Sequence, residues 1–217
     1  MRKAFDASLQ ELHNDILRMG SLSEEQIYNC VEALVKKDIN LADDVIKKDD
    51  IVDDMDKEIE DKCVRLIAMQ QPIATDLRTI FITLKIVTDL ERIADYAVDI
   101  AKVAKRLKNE NYIKDLIDIP KMAEIVKKMI KESLDAYVEE NADKAYKVCK
   151  IDDSVDALYK NVVKDFLLIM DDKKENMNQI AQFLFVCKYL ERVADHTTNI
   201  CESVIYLVTG EKVDLNE

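Results

Sequence analysis

Residues 31–53 repeat as residues 134–156 at an offset of 103, and residues 80–100 repeat as 180–200 at an offset of 100. Ala33, Val35, Ala42, Val45, Lys47, Asp49, Asp50, Val52 and Asp53 meet Ala136, Val138, Ala145, Val148, Lys150, Asp152, Asp153, Val155 and Asp156. A chain that repeats itself over such a distance must build one unit twice. The three-residue change falls between Gln70-Gln71-Pro72 and Asp171-Asp172-Lys173, where a loop tolerates a length change.

With two Gly, two Pro and no Trp in 217 residues, the chain has few means of turning, so the repeated unit must be helical. The apolar pattern predicts helices near 3–38, 40–69, 74–108, 120–140, 143–171 and 175–208. Gly20-Ser21 marks a point where the first can bend, Pro120 suits a helix start and Gly210 a helix end. Short connections make successive helices antiparallel neighbours. The expected fold is all-α, two tandem three-helix up-down bundles, with one repeat over 1–110 and the other over 111–217.

The charge balance narrows function. Forty-four acids against 32 bases give a net charge of −12, which disfavours direct nucleic-acid binding. No run approaches the ~18 apolar residues that span a membrane, and no signal peptide is evident. The five cysteines, Cys30, Cys63, Cys149, Cys187 and Cys201, lack metal-ligand spacing and suit a reducing compartment. A cytoplasmic protein without membrane insertion is the expectation.

Within each repeat a Glu-Arg-x-Ala-Asp box interrupts an apolar stripe: Glu91-Arg92-Ile93-Ala94-Asp95 and Glu191-Arg192-Val193-Ala194-Asp195. At 100° per residue, Glu91 lies roughly 20° from Ile80, amid Leu84, Val87 and Val98. Ile180, Leu184 and Cys187 frame Glu191 in the same way. The preceding helix supplies Asp49 and Asp53, or Asp152 and Asp156, each pair four residues apart and so on one face. If the two helices are antiparallel neighbours, four carboxylates converge in each half. Buried carboxylates must be paired, protonated or bound to a cation. An oxygen-only site suits hard ions such as Mg²⁺, Mn²⁺ or iron.

The bland alternative is a solvated helix face with salt bridges, the ordinary fate of acid pairs in so acidic a chain. Repetition and position on the apolar stripe argue against it for the set. Asp56 meets Tyr159 in the other half and is assigned a structural role. His13 reads as a surface or core residue. His196, beside Asp195, is a candidate auxiliary ligand. Neither histidine has an acid three residues before it, which disfavours a ferritin-like di-iron oxidase. No phosphate-binding Gly-rich loop or supported nucleophile is evident.

Met1-Arg2-Lys3-Ala4-Phe5, Met19-Gly20-Ser21-Leu22, Gln71-Pro72-Ile73-Ala74-Thr75-Asp76-Leu77-Arg78, Asp89-Leu90-Glu91-Arg92-Ile93-Ala94-Asp95 and Ile205-Tyr206-Leu207-Val208-Thr209-Gly210-Glu211 resemble, in order and along the whole chain, the PhoU family of bacterial phosphate regulators. The resemblance implies a homodimeric six-helix protein that is not an enzyme. It implies a negative regulator of phosphate uptake and of the phosphate-starvation response. Its implied partners are the PstB-like ATPase of the phosphate ABC transporter and a PhoR-like sensor histidine kinase. It further implies divalent or trivalent metal ions, including iron or zinc clusters, at the motifs matching Asp49/Asp53, Glu91/Asp95, Asp152/Asp156 and Glu191/Asp195. The family often has His and Asn where this chain has Tyr96 and Asp99, whereas His196 and Asn199 keep that pattern. Asp99 adds a candidate oxygen ligand to the first site, and Asn199 is its counterpart in the second. The competing functions are a carboxylate-cluster metalloenzyme and a purely structural dimeric bundle.

Overall fold

The structure, a computed structural model, describes residues 2–172 and 176–216. Six helices follow in order: α1 Arg2–Lys36, α2 Ile39–Gln70, α3 Ala74–Arg106, α4 Asp118–Val138, α5 Ala142–Asp172 and α6 Met177–Thr209. No strand occurs among the described residues. Of the expected loop at Asp171-Asp172-Lys173, Lys173 lies outside the described residues, as does the expected α6 start at residue 175.

The turns show why the helices stop where they do. Lys37 and Glu140 adopt the left-handed conformation, with φ of 55° and 47°, and close the helices before them. The next residue begins a new helix: Asp38 accepts a hydrogen bond from the Leu41 amide at 3.1 Å, and Asn141 one from the Lys144 amide at 3.0 Å. A short polar side chain that satisfies a free amide is the favoured helix cap. The same turn thus recurs at the repeat offset. Gly210, at φ 78°, closes α6 with its amide on Tyr206 O, a conformation glycine adopts without steric cost.

Each half is the expected three-helix unit, and α3 and α6 pack against each other across the halves while α1 packs on α4. One continuous apolar core therefore runs through all six helices. Among the described residues, α2 and α5 each pack chiefly on the other two helices of their own half.

Gly20 does not interrupt α1, which runs unbroken from Arg2 to Lys36. Its role is close approach: a Cβ there would lie 2.3 Å from Leu134 Cδ1 on α4. A methyl can be admitted if Leu134 turns aside, and alanine's higher helix propensity offsets that cost. A leucine cannot. Gly20→Leu is expected to cost about 1–3 kcal/mol, and denaturant titration should show Leu134→Ala recovering part of it.

The linker is held rather than free. Gln179 on α6 is 3 % exposed and spends its whole amide on it. Its Oε1 accepts from the Ile113 amide at 2.8 Å, while Nε2 donates to Glu110 Oε2 at 2.8 Å and Asn111 O at 3.1 Å. Tyr112 donates its hydroxyl to Leu34 O at 2.7 Å and sets its ring edge-on to Phe183, 5.2 Å between centroids. The linker consequently ties the end of α1 to the start of α6.

Candidate functional site

The two Glu-Arg-x-Ala-Asp boxes sit in matching surroundings. From 90 to 100 and from 190 to 200 the sequence of buried, half-buried and exposed positions is the same, residue for residue. Leu, Ile or Val, and the two Ala face the core, while Glu91, Asp95, Glu191 and Asp195 stand half-buried at its margin. Each box lies on a helix that packs against its acidic neighbour, α2 or α5.

In the first half, burial and then the nearby Asp53 and Asp95 push the Asp49 carboxyl up to about 6. Glu91 is raised by burial, then by Asp95, with Asp56 and Asp53 contributing. In the second half, burial and then Asp195, Asp156 and Glu191 push Asp152 up to about 6. Asp195 is raised by burial and then by Glu191. Proximity of like charge with partial desolvation explains every one of these directions. The structure brings the helix-two and helix-three carboxylates within reach of one another's field in both halves.

Protein cations partly neutralise both clusters. Arg92 Nη1 lies 2.9 Å from Asp95 Oδ2 and its Nε 3.3 Å from Glu91 Oε2. In the second half Lys188 donates to Glu191 Oε1 at 2.6 Å, and Arg192 is 3.6 Å from Asp195 Oδ2. Asp156 is engaged by Lys160 at 2.9 Å. Asp152 Oδ1 is buried and accepts no hydrogen bond. The donor set, carboxylate oxygens with one orphaned acceptor, suits a hard cation. As arranged, however, no three acidic, His or Cys side chains among the described residues could hold a metal ion together. Lys188 and Arg92 occupy the positions of charge compensation instead.

Three of the sequence candidates take other partners. Asp99 pairs with Lys102 at 3.1 Å. His196 and Asn199 reach across the α3–α6 seam to Asp89: His196 Nδ1 is 2.9 Å from Asp89 Oδ1, and Asn199 Nδ2 donates to the same oxygen at 3.2 Å. A carboxylate only accepts, so His196 carries its hydrogen on Nδ1. The repeat-related contact on the seam is different in kind, for Tyr96 and Tyr189 stack there with centroids 5.7 Å apart. Asp89→Ala leaves a half-buried histidine and asparagine without their acceptor. A loss of about 1–3 kcal/mol in urea unfolding is expected, and an unchanged midpoint would show that this polar node carries no stability.

Two further acids stand close to the boxes: Asp56, read from the sequence as structural, and Asp89. Asp56 belongs with the first cluster, since burial and then Glu60 and Asp53 raise its carboxyl, and it acts on Glu91 in turn. Its counterpart Tyr159 faces Lys188 instead, 5.5 Å from ammonium to ring centroid. Asp89 was hidden because Tyr189 takes its place in the repeat. An i, i+3 check from Asp53 to Asp56 was the one available signal for the former.

A duplicated three-helix bundle bearing an acidic box on each central helix defines the class of this protein, and comparison with known proteins gives the family. The PhoU domain model matches residues 16–104 and again 119–204. The chain is 62% identical over 217 residues to the Clostridium acetobutylicum protein named phosphate-specific transport system accessory protein PhoU homolog, covering 100% of this chain and 99% of that one. The crystal structure of PhoU from Pseudomonas aeruginosa superposes with a TM-score of 0.92 at 36% identity, covering 95% of this chain and 100% of that one. The phosphate transport system regulatory protein PhoU from Streptococcus pneumoniae gives 0.90 at 33% identity, covering 97% and 99%. The chain belongs to the PhoU family.

Proposed function

We propose that this chain is a non-enzymatic accessory of a phosphate-specific transport system and a negative regulator of phosphate uptake and of the phosphate-starvation response. The observation that carries this reading is the full-length likeness to a protein named for that accessory role. In this reading it works in the cytoplasm as an acidic homodimeric adaptor between the transporter's PstB-like ATPase and a PhoR-like sensor kinase. No helix of the described residues is long and apolar enough to cross a membrane, which suits a protein that acts by docking. Deleting its gene is expected to raise initial phosphate uptake and derepress starvation genes under phosphate sufficiency. Unchanged uptake and expression in the deletion strain would overturn the reading.

We also propose that the carboxylate clusters take up metal, supported by the orphaned Asp152 oxygen and the crowding of like charge around Asp49 and Asp152. The residues that would hold it are Asp49, Asp53, Glu91 and Asp95 in one half and Asp152, Asp156, Glu191 and Asp195 in the other, once Arg92 and Lys188 have turned away. A bound ion would supply positive charge that fixes helix packing. Elemental analysis of protein purified without chelators, beside Glu91→Gln and Glu191→Gln, tests this, and Lys188→Gln is expected to raise metal content. No metal in any of them, with unchanged melting on adding Mn²⁺ or Fe²⁺, would exclude the clusters as metal sites. Metal-dependent turnover lost in Glu91→Gln would favour a metalloenzyme instead.

A further inference from the structure

The α2–α3 hairpin ends in an apolar surface that the acidic clusters do not use. Phe81 is 47 % exposed, Leu77 43 % and Ile67 38 %, far more than an apolar core residue tolerates. The cause is topological. Helix α3 packs between α2 and α6, which do not pack on each other, so a trough is left open above the first turns of α3. A groove of about 450 Å³ lies there, floored by Leu77, Phe81 and Leu84 and walled by Ile67 of α2 and Tyr206 of α6. Its floor residues are spaced i, i+4, i+7, the pattern that meets a helix laid alongside.

The charge around this groove departs from the rest of the chain. Between Lys62 and Thr88 four bases face one acid, Asp76, which is buried, in a protein of net charge −12, although Arg65 pairs with Asp61 at 3.9 Å and the α6 side adds the half-buried Glu202. Lys62 is committed to Glu11 and Asp15. Arg78, Lys85 and Lys212 instead lie over aromatic rings: Arg78 5.3 Å and Lys212 6.0 Å from the Tyr206 centroid, Lys85 5.7 Å from that of Phe81. Among the described residues none of the three makes an ion pair within 4 Å, though Lys85 acts at longer range on the Glu202 carboxyl of α6. Cations held on aromatic faces beside an apolar trough form a surface that an acid-flanked apolar helix complements, in shape and in sign.

We infer that this groove is a docking site for an amphipathic helix of a partner protein, one whose apolar i, i+4, i+7 face is flanked by Glu or Asp. It supplies a surface for the adaptor proposed above and rests on that reading, but its test is made with purified protein and reads binding alone. The probe is a fluorescein-labelled helical peptide of about eighteen residues, five turns long, with Leu at the face positions and Glu beside them. A twin carries Lys in place of Glu. Full-length protein is expected to bind the Glu peptide at least roughly tenfold more tightly than its twin. Lys85→Glu with Lys212→Glu should reverse that order. Phe81→Asp, at a half-exposed position that leaves the fold intact by circular dichroism, should abolish binding of both.

Equal affinity for the two peptides, or binding indifferent to Phe81→Asp, would overturn the proposal. So would phosphatidylglycerol vesicles that capture the protein through Phe81 when the Glu peptide does not, which would make the surface a membrane contact. Dissociation of a dimer by Phe81→Asp in sedimentation would overturn it as well, by assigning the groove to a second copy. Failure of the peptide test beside a deletion strain that has lost phosphate control would remove this surface and leave the regulatory role standing.

Discussion

At pH 7.5 in the presence of a chelator, a chain carrying Asp49→Asn and Asp152→Asn is expected to melt roughly 4–8 °C above the unsubstituted protein. Both carboxyls titrate near 6 in the folded chain, against an ordinary 3.8, because burial and neighbouring acids oppose their ionisation. When the folded-state value is the higher one, the folded protein holds its proton more tightly than the unfolded chain does. Stability from that proton is present in full below about pH 4 and is lost as pH rises through about 6. A rise from 3.8 to about 6 would amount to about 3 kcal/mol each for groups sealed from water. These carboxyls are half-exposed, so solvent screening reduces the figure to about 1 kcal/mol apiece. The amide of Asn is free of this penalty, so the gain should vanish at pH 4. A variant that melts with, or below, the unsubstituted protein at pH 7.5 would show that the clusters are compensated better than Arg92 and Lys188 suggest.

Phe183→Ala is expected to cost about 3–5 kcal/mol and to lower the melting temperature by roughly 10 °C. Phe183 is fully buried, stacks on Phe166 at 5.7 Å and receives the edge of Tyr112 at 5.2 Å. Truncation removes the ring against which both the second bundle and the linker are packed. Limited proteolysis supplies a second readout: cleavage should accelerate within residues 109–117, since Tyr112 loses its support while Gln179 retains its bonds. A loss below about 1 kcal/mol with no new cleavage would mean that the linker is anchored by hydrogen bonds alone.

The helices were legible because three signals agreed: apolar periodicity, the repeat, and the punctuation of Pro120 and Gly210. Gly20 shows the limit of that reading. A glycine inside a helix signals either flexibility or close contact, and only the position of Leu134 on a distant helix decides for contact. The acidic clusters were legible for a related reason, since a charge on an apolar stripe is a local contradiction that the residues themselves display. Their compensation was not. Lys188 corresponds to Thr88 and Arg92 has a counterpart in Arg192, yet the two halves use them differently. Nor could spacing reveal that His196 and Asn199 would turn from Asp195 to Asp89, because the partner lies 107 and 110 residues away on the other central helix.

The seam between α3 and α6 bears on how a duplicated chain becomes one molecule. Two identical copies of the unit would meet there in two equal contacts. In this chain the equality is gone: Asp89 and His196 form one contact, Tyr96 and Tyr189 the other. Each half holds a single member of the hydrogen-bonded couple, so neither half could rebuild it by pairing with its own kind. Divergence at four positions has thereby made the halves mutually dependent, and a gene encoding either alone would no longer specify the interface that both now share.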